Sequence, residues 1–279
     1  EYVDFPETGN VILMDEPEEP EIKTVNEESK VYLEENCNIN TNKSDAVQLK
    51  KADSSDFKAD YSSQIAGVVE KDNICSAFGI SQKCCEGSEC VNDVNSYPVI
   101  FLHGHSFKEW DSPDYSLDAF NNLQLALFND KYRVGGTFLP TQKKSEMVEG
   151  EWGKVNFPIT VKATYYMGVY DVEGELIYAP SKQESISTYA QRLSEVVELV
   201  KYRTGRNKVN IVAHSMGGLV AREYIKHYRG ESSVNKLIMI GTPNHGIYGG
   251  VAEGCDALGA DTECAQMIAG SLFLQSLNS

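Results

Sequence analysis

The stretch "VNIVAHSMGGLVAREYI", Val209 to Ile225, sets one serine between a histidine and a Gly-Gly pair at the end of an apolar run. A serine hydroxyl becomes a nucleophile when it is held out of a sharp strand-to-helix turn and a base takes its proton. Strand and helix nearly touch at such a turn, so small residues are required two positions before and two after. Ala213 and Gly217 meet that demand around Ser215. The general pattern is G-x-S-x-G; alanine replaces the first glycine here without adding much bulk. A helix starting at this serine also aims backbone N–H groups at developing negative charge. The competing reading is an ordinary helix N-cap serine. The apolar strand before it, the helical face after it and a second motif upstream favour the nucleophile.

That second motif is "VIFLHGH", in which His103-Gly104 closes another apolar run. Acyl transfer passes through a tetrahedral oxyanion, which preorganised backbone N–H groups stabilise. Losing one such donor costs about 100- to 1000-fold in rate. The expected donors are the N–H of Met216, directly after the nucleophile, and the N–H of His105, in the loop after the earlier strand. Only the main chain of His105 is needed for this, so its imidazole is read as incidental.

These residues need a frame. "YPVIFLHGH" is a short continuous apolar run, as in a strand buried on both faces. In "SLDAFNNLQLALFND", Leu117, Phe120, Leu123 and Leu127 recur at helical spacing. "VKATYYMGVYD" reads as one strand, rich in β-branched and aromatic residues. "SISTYAQRLSEVVELVKYRTG" puts Ile186, Ala190, Leu193, Val197 and Val200 on one helical face and stops near Gly205. "VNIVAHS", "MGGLVAREYIKHYRG" and "VNKLIMIGTP" follow as strand, helix and strand. The segment between Lys131 and Thr160 has room for an extra hairpin, and its sequence does not resolve into elements. This alternation implies an α/β fold with a mostly parallel sheet and helices on both faces.

Taken together, "YPVIFLHG", "VNIVAHSMGGLVAREYI" and "VNKLIMIGTPNHG" resemble the lipase and esterase branch of the α/β-hydrolase superfamily. The "AHSMGG" form is similar to that of small bacterial triacylglycerol lipases. The resemblance covers Tyr97 to Ser279 and leaves residues 1–96 as a cysteine-containing appendage without an assigned role. It implies cleavage of carboxylic esters, of lipid or other acyl groups, with no metal and no organic cofactor. It further implies a triad in the order Ser, Asp or Glu, His. His227 falls far along the helix after Ser215, and His245 in "GTPNHG" is similar to a structural family histidine. His103, His105 and His214 come at or before the nucleophile motif. Asn244 stands where some lipases carry the acid, and Asp256 and Asp261 lie between two cysteines that are expected to pair. The acid and the histidine are therefore expected beyond Ser279, in a C-terminal segment or second chain that completes the domain and covers an otherwise bare sheet edge.

Composition bounds the remaining possibilities. The 279 residues carry a net charge of -16, with 41% hydrophobic and 24% charged residues. So acidic a chain does not bind nucleic acid through counterion release, and no run is long enough for a membrane-spanning helix. Seven cysteines include the dense "CSAFGISQKCCEGSEC". They lack paired C-x2-C spacing or a nearby histidine, which favours disulfides over zinc and an extracytoplasmic location. An odd count leaves one thiol free or paired outside this chain. Two other functions stay open: a catalytically silent surface binding module on the same fold, and an acyltransferase or amidase.

Overall fold

The computed structural model describes residues 12–14, 68–105, 117–172, 175–179, 181, 184–256 and 261–279. Cys37 lies outside them.

Two strands from the sequence reading anchor the sheet. β5 (Val99–Leu102) is buried along its whole length, and β10 (Val209–His214) runs parallel beside it with Ala213 opposite Leu102. β7 (Ile159–Ala163) lies parallel on the other side of β5, with Ala163 opposite Leu102. β11 (Val234–Ile240) pairs parallel with β10. β6 (Arg133–Phe138) adds a parallel edge next to β7, so the segment that the sequence leaves unresolved supplies a sheet strand. β1 (Ile12–Met14) pairs in parallel with the outer edge of β11, giving the order β1-β11-β10-β5-β7-β6. The edge expected to stay bare is thus covered by a strand of this same chain.

Alternate residues of β5 face opposite sides. Val99 and Phe101 pack with Phe120 and Val212, against which Leu127 of helix α2 (Asn121–Asn129) rests. Phe101 and Phe120 stack at 5.0 Å. Ile100 and Leu102 face the larger core, which holds α3 (Ile186–Thr204) and α4 (Met216–His227). Helices therefore cover both faces. The α3 ends follow the sequence signals: Ser185 caps the start through the Thr188 N–H, and Gly205 closes the end at φ 62.

"VKATYYMGVYD" is two strands rather than one. β7 stops at Ala163, and β8 (Gly168–Val172) turns back antiparallel onto β9 (Glu175–Ala179). Tyr165 and Tyr166, adjacent and both fully buried, lie in the connection between β7 and β8.

Residues of the expected appendage form a three-stranded antiparallel sheet, β2 (Val69–Lys71), β3 (Ile74–Ala77) and β4 (Ile80–Lys83), followed by the single turn α1 (Ser88–Val91). Phe78 in the β3–β4 turn meets the edges of Trp152 and Phe157 at 5.5 and 5.8 Å. Cys75–Cys84 and Cys85–Cys90 are disulfides. Removing the buried Cys75–Cys84 bridge as C75A/C84A should lower stability by about 3 kcal/mol, the loop-closure value for some ten residues. A lowered guanidinium midpoint is the readout.

Candidate active site

Parallel register brings the chemistry-bearing residues to one end of the sheet. Leu102 and Ala213 are neighbours, so His103-Gly104 and His214-Ser215 emerge together from β5 and β10. Ala163 pairs with Leu102, which sets Thr164 and Tyr165 beside them.

Ser215 sits between β10 and α4 at φ 50, ψ -127, a region that residues with a Cβ occupy only under strain. Its N–H donates to the Ile240 carbonyl at 2.7 Å, and its carbonyl accepts from the Gly218 N–H at 3.0 Å. Its side chain makes no helix-capping hydrogen bond, unlike the capping side chain of Ser185. Met216 is fully buried and opens α4, a position where the helix itself offers its N–H no carbonyl.

Two glycines allow this packing. A Cβ on Gly104 would stand 2.7 Å from the Ser215 Cβ. A Cβ on Gly217 would collide with the His103 carbonyl oxygen and come within 3.0 Å of the Leu102 oxygen. The turn and the end of β5 are therefore in direct contact.

The peptide after Gly104 is oriented by buried side chains. His103 is fully buried and stacks on Tyr165 with centroids 4.2 Å apart. Its Nδ1 donates to the Gly104 carbonyl at 2.8 Å, since that oxygen can only accept, and its Nε2 bonds Thr164 Oγ1 at 2.9 Å. The Tyr165 hydroxyl donates to the carbonyls of His103 and Gly104 at 2.8 and 3.3 Å. Burial, with a contribution from Glu263, pushes the Tyr165 phenol well up, so it remains a donor. Gly104 C=O and His105 N–H belong to one trans peptide and point in opposite directions. Fixing the carbonyl toward Tyr165 and His103 therefore turns the His105 N–H away from them.

The His105 imidazole has a definite partner. Its Nδ1 lies 2.5 Å from Glu263 Oε2, with both side chains buried. Glu263 stands on α6 (Asp261–Met267), which the Cys255–Cys264 disulfide ties to α5 (Gly249–Asp256). The sequence reading named Asp256 and Asp261 in this loop and passed over Glu263. Its signal was slight: one acid next to a cysteine, 158 positions from its partner.

The other candidates are elsewhere. His227 pairs with Glu223 one helical turn back, at 2.9 Å, near the far end of α4. His245 is exposed on the loop after β11. Asn244 accepts from Arg222 at 2.9 Å, and Arg222 also bonds Asn278 at 2.7 Å on α7 (Leu272–Asn278).

A mostly parallel sheet covered by helices on both faces, with a serine on the strand-to-helix turn at its carboxyl end, has the architecture of an α/β-hydrolase fold. The sequence profile of the palmitoyl protein thioesterase family matches residues 151–277, somewhat under half of the chain. Among solved structures, the chain is similar to the mature form of the Bacillus licheniformis lipase BlEst2, with 16% identity and a TM-score of 0.34 over 67% of this chain and 60% of that one. The propeptide form of the same lipase gives 17% identity and a TM-score of 0.34 over 66% of this chain and 32% of that one. The chain thus spans less than two thirds of the length of either lipase structure.

Proposed function

We propose that this protein is a serine hydrolase of carboxylic esters, acting on lipid or other acyl esters through an acyl-enzyme on Ser215. The observation that carries the reading is the backbone of Ser215 itself: a non-glycine residue at φ 50, ψ -127, pressed against Gly104 and making no helix-capping bond. Strain of this kind is retained where a side chain must be presented.

In this reading Ser215 Oγ attacks the acyl carbonyl carbon and gives up its proton to a base. The carbonyl oxygen becomes an oxyanion between the N–H groups of His105 and Met216. The tetrahedral adduct collapses, the leaving group departs with the proton, and water releases the acyl group by the same route. The general base and the acid that orients it are not assigned among the described residues. Among the described residues after Ser215, His227 is engaged with Glu223 and His245 is exposed. The thioesterase profile match extends the substrate class to acyl thioesters, whose cleavage uses the same adduct. Three disulfides support an oxidising, extracytoplasmic setting.

A fluorophosphonate probe tests the assignment. It should attach to the peptide carrying Ser215 in the full-length protein and leave Ser215→Ala unlabelled. A folded wild-type protein that stays unlabelled would overturn the reading in favour of a binding module on this fold.

A further inference from the structure

Glu263 is fully buried, and among the described residues no lysine or arginine forms an ion pair with it. A carboxylate in such a place costs several kcal/mol unless donors surround it, and an apolar side chain of similar size would pack there without that cost. Three donors converge on it: His105 Nδ1 at 2.5 Å, the Tyr166 hydroxyl at 3.1 Å, and the Tyr189 hydroxyl. Burial, reinforced by the charge of Glu263, pushes the Tyr189 phenol far up, so this group stays a donor.

What the three donors hold in common is the loop after β5. His105 carries the N–H assigned to the oxyanion. Tyr166 directly follows Tyr165, which holds the Gly104 carbonyl. Tyr189, on α3, packs against both tyrosines at 4.8 and 5.3 Å. The Gly104–His105 peptide is thus fixed twice: at its carbonyl by His103 and Tyr165, and through the residue bearing its N–H by Glu263. The disulfide at Cys264, the next residue, keeps the carboxylate in place.

We propose that Glu263 is a positioning residue which, through the His105 imidazole, holds the His105 backbone N–H where the oxyanion of the Ser215 adduct forms. It touches no substrate, and the proposal rests on the hydrolase reading above. Because the oxyanion exists only in the adduct and its transition states, a positioning role acts on the chemical step and spares ground-state binding.

The test measures phosphonylation by a fluorophosphonate, and kcat and KM on p-nitrophenyl butyrate, per folded molecule of the full-length protein. Glu263→Ala should slow phosphonylation and kcat by about 10- to 100-fold, with KM within about threefold of wild type. Glu263→Gln, which keeps an oxygen to accept from His105, should return to within about threefold of the wild-type rate. Glu263→Asp keeps the charge but draws it back by one carbon, and should show the same kcat-selective loss even if the alanine variant does not fold. Wild-type rates in Glu263→Asp, equal losses in Gln and Asp, or a change confined to KM would overturn the proposal. An unlabelled wild type would remove the hydrolase reading itself, a result separate from any ranking of the variants.

Discussion

Glycine at position 215 should give a protein that melts higher and hydrolyses nothing. Ser215 sits at φ 50, ψ -127, which is open to glycine and strained by about 1–3 kcal/mol for a residue with a Cβ. Glycine adds unfolded-chain entropy worth about 0.5–1 kcal/mol against this. The net gain should be about 1 kcal/mol, or about 2–4 °C in Tm for a domain of this size. Ester turnover should fall by about 10⁴-fold or more, as it does when a covalent nucleophile is removed. Ser215→Ala is the control: equally inactive, but with its Cβ retained and its Tm unraised. Calorimetry and an ester assay on the three proteins decide the matter. A glycine variant no more stable than the alanine variant would mean that the turn stores no strain.

The second large effect is expected at Gly217. A Cβ there meets the carbonyl oxygens of His103 and Leu102, and these are main-chain atoms of a buried strand that cannot swing aside. Helix α4 must back away from β5. Overpacking costs about 1–3 kcal/mol where side chains can adjust, and Gly217→Ala should reach about 3 kcal/mol, or about 6–12 °C in Tm. The same shift parts Ser215 from Gly104, so activity in the surviving folded protein should drop about 100-fold. Gly254, on α5, has no atom within 4 Å of its Cβ position. Gly254→Ala should leave Tm unchanged or slightly raised. Matching losses at the two positions would show that the close approach at Gly217 is not what limits substitution.

The frame was legible wherever a local rule acted alone. Buried parallel strands announce themselves as unbroken apolar runs, as at Val99–Leu102, and helix ends follow caps such as Ser185 and Gly205. The motif spacing around Ser215 required small residues, and the contacts of Gly217 supply the reason. Failures came where partners are distant. Arg133–Phe138 carries two adjacent glycines and little alternation, so only its pairing with β7 makes it a strand. Tyr165 and Tyr166 read as strand residues because both favour strands, but each is needed to close around His103 and Glu263. Glu263 itself had no pattern to betray it, since its role is defined by a histidine and two tyrosines from other elements.

Those separations have a kinetic side. The three donors to Glu263 lie 74, 97 and 158 positions away along the chain. Closing such long loops is entropically slow, and parallel pairing adds to the delay. Until all of these segments have met, the carboxylate keeps its hydration shell and resists burial. Refolding should therefore restore helical ellipticity well before it restores reactivity toward the fluorophosphonate.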